Sequence, residues 1–125
     1  MATKISTNIS EVAGVTAESF GDEHGNFDFT PKSLVLLDDA IEDIWGEDGP
    51  SEENFNGIVW AYGCYVADVV QRNYKGKWKK SENGGYDYFH EAGMVSFNPW
   101  SWVVKRFIDG DLIAPKYSQI AKFLK

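Results

Sequence analysis

YGCYVADVVQRNYKGKW, Tyr62 to Trp78, is the stretch whose reading decides the fold. Together with the residues before it, it places Phe55, Ile58, Val59, Tyr62, Tyr65, Val66, Val69 and Val70 at helical spacing, which predicts a helix with a broad apolar stripe. Ser51, Glu52 and Glu53 suit its start, because a hydroxyl can cap the first amides and carboxylates favour the positive end of the helix dipole. The stripe runs to about Asn73, and its width predicts a central position. Gly63 lies near the stripe, where glycine costs about 0.5–1 kcal/mol relative to alanine. The cost is explained if another element approaches closely there, and Ala61, Cys64 and Ala67 keep the surroundings small.

Cys64 would need a thiolate-stabilising neighbour to act as a nucleophile. Neither His24 nor His90 is adjacent in sequence, so a buried, inert thiol is expected. Asp68 and Arg72 stand four apart with the acid first, the favourable order for a helical ion pair. Two readings follow: a surface pair, or a partly buried carboxylate that fixes the C-terminal helix through Lys105 or Arg106.

Downstream of this helix, Gly76 ends the region, and the lysines around Trp78 suit an edge strand that resists pairing with other chains. GYDYFHEAGMVSF is rich in aromatic and β-branched residues, predicting one or two strands around a turn at Gly93. Asn98 and Pro99 then open a helix over WSWVVKRFI, closed by Asp109-Gly110-Asp111. A last helix starts at Pro115, with Tyr117, Ile120, Ala121 and Leu124 on one face. Upstream, Thr30 reads as an N-cap and Pro31 as the first helical residue, followed by Leu34, Leu37, Ile41 and Ile44 as far as Trp45; GEDGP breaks this helix. Residues 1–8 are expected to be loose, with a short helix across Ile9–Phe20 and a core spanning about 27–125. This order predicts one α+β domain over residues 1–125, several helices packed on a small antiparallel sheet.

The single cysteine excludes an intramolecular disulfide. The N-terminus carries no apolar signal-peptide core, and nowhere do about 18 apolar residues run together, so a cytoplasmic location without membrane association is expected. Charge is uneven: residues 1–62 hold Lys4 and Lys32 against thirteen acids, whereas residues 63–125 hold ten basic residues against six acids, giving −7 overall. Nucleic acid is therefore an unlikely partner, and a basic protein partner suits the acidic half better. The other reading is that the two halves compensate one another within the fold.

Little in the chain points to chemistry. GDEHGNFDF gathers Asp22, Glu23, His24, Asn26 and Asp28 but lacks the spacing of a calcium loop. Successive strand residues such as His90 and Glu91 face opposite ways. ENGGYD lacks the lysine and following helix of a phosphate loop, and no nucleophile turn is present. A binding protein without enzymatic activity or cofactor is expected. Tyr86, Tyr88, Trp100 and Trp102 could form a sugar-stacking platform or the core beneath the sheet.

FDFTPKSLVLLDDAIEDI, YGCYVADVVQRNYKGKW and FNPWSWVVKRFIDGD, in that order, resemble a set of small bacterial cytoplasmic domains, mostly described as of unknown function. These share a Ser-Leu and Leu-Asp helix, a Gly-x-Tyr-x-Gly-Glu helix ending in Arg, a Gly-Gly-x-Trp turn, and a Pro-initiated segment ending in a basic pair and Gly. The similarity spans Phe27 to Asp111, with Ala67-Asp68 in place of Gly-Glu and Lys75-Gly76 in place of Gly-Gly. Some small acidic members resemble immunity proteins, which implies neutralisation of a cognate toxin by binding. The segment DDAIEDIWGEDGPSEE holds eight carboxylates and neither Lys nor Arg, so Asp39, Asp43, Trp45, Glu47, Asp48 and Glu52 are the candidate partner-binding residues. Gly63, Asp68, Arg72 and Trp78 are the candidate structural ones. Alternatives are a small-ligand or carbohydrate-binding domain built on the aromatic strands, and an enzyme.

Overall fold

The computed structural model describes residues 4–82, 84–91 and 95–124. Among these, helices α1 (Lys4–Phe20), α2 (Ser33–Trp45), α3 (Glu52–Asn73), α4 (Pro99–Asp109) and α5 (Ile113–Ala121) accompany strands β1 (Gly76–Lys80), β2 (Tyr86–His90) and β3 (Ser96–Phe97), with a short 3-10 turn at Asp22–His24. The strands form one antiparallel sheet in the order β1-β2-β3. The fold is thus a single α+β domain, helices on a small antiparallel sheet. None of the helices described is long and apolar enough to cross a membrane. The turn expected at Gly93 lies outside the described residues.

Helix α3 is the axis of the molecule. Every residue from Tyr62 to Val70 is buried, including Asp68 between apolar neighbours, so this part is enclosed on all sides. An amphipathic surface helix would bury only one stripe. Helices α1 and α4 flank it, and Trp78 of β1 reaches back to it, donating its indole N–H to Gln71 Oε1 at 3.1 Å. At 22 residues the helix is about 33 Å long.

The N-terminal expectation needs correction. Helix α1 begins at Lys4 and buries Ile9, Ala13, Thr16 and Phe20, so the helix starts before Ile9 and the core before residue 27. The reason is long-range: Gln71 Nε2 donates to the Ser6 carbonyl at 3.0 Å and to Ser10 Oγ at 2.9 Å, and Thr16 Oγ1 donates to the Ala61 carbonyl at 3.2 Å. These bonds tie a polar run, which carries little apolar signal, onto α3.

Helix α2 also starts later than predicted. Thr30 caps nothing, because its hydroxyl donates to Asp28 Oδ1 at 2.6 Å. The amides of Ser33, Leu34 and Val35 instead bond to carbonyls three residues back, a tightened turn that precedes regular helix. Just before it, Phe29 holds the left-handed region at φ 64°. Its amide bonds the Tyr65 hydroxyl at 3.1 Å, and its ring lies under the Arg72 guanidinium at 4.1 Å, contacts that offset the strain. Ile44, expected on the inner face, is 42% exposed.

Local signals worked best at α4. Asn98 Oδ1 accepts from the Trp100 and Ser101 amides at 2.9 and 3.2 Å, Pro99 occupies the first position, and Gly110 closes the helix in the left-handed conformation. In the sheet, Trp78 pairs with Tyr88 and both are buried, while Lys77, Lys79 and Phe89 occupy the opposite face. Strand β1 is an edge strand, but its tryptophan is part of the core.

Candidate functional site

The acidic segment divides into an inner and an outer set. Asp38 is buried, only 5% exposed, so not all eight carboxylates of the segment are available at the surface. It accepts the Ile113 and Ala114 amides, both at 2.9 Å, and so caps α5 from another helix. That bond starts α5 at Ile113, two residues before Pro115. Arg106 of α4 packs on the same carboxylate, Nε to Oδ1 3.4 Å, and reaches Glu42 Oε2 at 3.3 Å. Burial pushes the Asp38 carboxyl above its ordinary value, opposed by the two amides and by Arg106.

The outer set keeps its exposure. Asp39, Glu47, Asp48, Glu52 and Glu53 are all exposed, and none has a basic partner among the described residues. Asp43 is exposed too and faces His24, Nδ1 to Oδ2 3.6 Å. Trp45, the last residue of α2, is half-buried, and its indole N–H donates to the Tyr62 hydroxyl at 3.0 Å. Only the outer part of that ring is free for a partner.

Gly63, Trp78 and Asp68 belong to two inner arrangements. Trp100 packs against α3 at Gly63, so near that a Cβ there would fall inside the indole ring's contact distance, and the same holds at Gly85. Trp60 stacks on Trp100 at 5.5 Å, and Trp78 meets it edge-on at 5.8 Å. Trp100 donates its N–H to the Trp60 carbonyl at 3.1 Å. Beside it, burial pushes the Cys64 thiol up to about 12, which keeps it protonated and unreactive near neutral pH.

Asp68, fully buried, accepts from Ser10 Oγ at 2.7 Å, Gln71 Nε2 at 2.9 Å and Arg72 Nε at 2.9 Å. Arg72 forms the predicted pair, but the carboxylate holds α1 rather than the C-terminal helix; Arg106 is occupied with Asp38. An open groove of about 800 Å³ lies alongside, lined partly by Asp68, Gln71, Arg72 and Tyr88. Since the partners of Asp68 come from α1 and α3, the network reads as a clamp between these helices.

Other chemistry finds little support. Among the described residues no three His, Cys, Asp or Glu side chains are grouped to hold a metal ion. His90 Nδ1 lies 3.3 Å from the Tyr88 hydroxyl, whose titration burial pushes up to about 12. Of the four aromatics considered for stacking a sugar, Tyr88, Trp100 and Trp102 are buried; only Tyr86 is partly accessible. Sequence reasoning missed Trp60, partly exposed on the α3 flank it shares with Asn56 and Gly57. A tryptophan off the main apolar stripe was the available signal.

No protein-family model matches this chain, and no curated protein or solved structure does either.

Proposed function

We propose that this protein is a small binding module of the immunity or inhibitor type, whose acidic face recognises a cationic protein. One observation carries the reading: buried Asp38 and exposed Glu42 are paired with Arg106, while Asp39, Glu47, Asp48, Glu52 and Glu53 lie exposed with no basic partner among the described residues. Like charges held together oppose compactness, so the outer set is a cost to folding that a cationic partner would offset. The resemblance to small acidic immunity-type domains supports the same role. Such a face steers encounter and selects partners more than it sets affinity, and it weakens with salt. Trp45 contributes the exposed part of its ring at the end of α2.

The test is affinity capture with the intact chain, followed by association kinetics. Reversing Asp43, Glu47 and Asp48 to lysine should slow association at low salt and flatten its salt dependence. A captured partner without a basic surface, or unchanged association by the triple variant, would refute the reading.

A further inference from the structure

A second region has the form of a ligand site. Residues of helices α3 and α4 together line a groove of about 560 Å³, within the range of small-molecule sites. On α3 its wall is Asn56, Val59 and Trp60, one helical face by spacing; on α4 it is Ser101, Val104 and Lys105. The turn residues Gly84 and Gly85 and the buried Trp100 complete the lining. Three features set the ligand chemistry. The walls are apolar and partly exposed at Val59, Trp60 and Val104, so the ligand body is apolar. Trp60 and Trp100 stack within 14° of parallel, and the turn residues in the lining are the glycines Gly84 and Gly85, which favours a flat ring over a branched chain. Among the described residues, Lys105 is the one charged group in the lining; it is exposed and has no carboxylate partner there.

We infer that this groove binds a small planar aromatic carboxylate, its ring against Trp60 and its carboxylate at Lys105. None of these residues belongs to the outer acidic set, so the inference does not depend on the proposed protein partner.

The probe is naphthoate, compared with the uncharged naphthalenemethanol, followed through the indole N–H resonances of Trp60 and Trp100. Naphthoate should shift both signals in the wild-type protein and bind about two- to fivefold more tightly than the alcohol, the range of an exposed ion pair. Lys105→Gln should abolish that preference while leaving the alcohol's affinity unchanged. Trp60→Leu should weaken both probes. Because Lys105 is exposed, its variant keeps the fold and remains decisive even where Trp60→Leu lowers stability. Failure of both signals to move at millimolar naphthoate, equal binding of the two probes, or a preference that survives Lys105→Gln would overturn the inference.

Discussion

Asp38 and Asp68 are both buried aspartates paired with an arginine, yet they join the fold in different ways. Arg72 sits on the same helix as Asp68 and keeps about half its side chain in water, whereas Arg106 is as buried as Asp38, at 9% against 6%. Around Asp68 the remaining acceptor capacity is taken by side chains of α1 and α3. Around Asp38 it is taken by the first two amides of α5. One carboxylate clamps two helices already packed together; the other connects α2, α4 and α5 at a single point. The second arrangement is the more exposed to failure, since removing one member of a buried pair leaves the other charged and uncompensated.

The largest expected effect follows from that difference. Asp38→Ala should destabilise by about 3 kcal/mol, because it uncaps α5 and leaves the buried Arg106 guanidinium with only the exposed Glu42 carboxylate as its counter-charge. Asp68→Ala should cost less, as Arg72 can turn to water. Denaturant midpoints at constant m-value measure both. Equal losses would break the comparison. Adding Arg106→Met to Asp38→Ala should recover part of the loss by removing the stranded charge.

Helix α4 is held at its other end by packing rather than charge. Since Trp100 fills the space above Gly63, Gly63→Leu should cost at least about 2 kcal/mol through overpacking. An unchanged midpoint would mean that Trp100 shifts freely and that Arg106 alone positions α4.

These two ends of α4 also differ in how much the sequence disclosed. The need for close approach at Gly63 followed from a glycine inside an apolar stripe, and the start and stop of α4 followed from Asn98-Pro99 and Gly110. Those are local rules, complete within a few residues. Asp38 capping Ile113 spans 75 positions, so no local pattern could reveal it, and Pro115 drew the predicted start of α5 away from its true one. Likewise Thr30 looked like a cap because its competing bond to Asp28 is invisible to spacing. The acidic face was legible in outline, but which carboxylates face inward depended on where Arg106 arrives. The aromatic groove depended on Trp60, whose apposition to Trp100 is again long-range.

Alkaline titration sharpens the contrast between the charged corner and the aromatic core. Burial raises the Tyr88 phenol from its ordinary 10.0 to about 12, and the Cys64 thiol from 9.0 to about 12. The folded state thus holds these protons more tightly than the unfolded chain. Their contribution is complete below the unfolded values and is lost as pH rises through those values toward 12. Stability should therefore fall above about pH 9–10, with Tyr88 phenolate absorbance developing alongside unfolding rather than before it. In Tyr88→Phe that part of the fall should be smaller. Phenolate formation by Tyr88 near its ordinary value in a still-folded protein would place its hydroxyl in contact with water.

The smallest effect on stability is expected where function is proposed. Asp43, Glu47 and Asp48 are exposed, and their only ion-pair contact among the described residues is Asp43 with His24. Surface substitutions of this kind usually change stability by no more than about 0.5 kcal/mol. Reversal to lysine removes repulsion within the outer set but also places a cation beside His24 at position 43, so the net change should stay within that range and shrink further in salt. Equilibrium unfolding at low and high ionic strength measures it. If the triple variant instead loses stability on the scale of Asp38→Ala, the outer carboxylates belong to the same supporting network as the inner ones. The acidic face would then be explained by folding, with no cationic partner required.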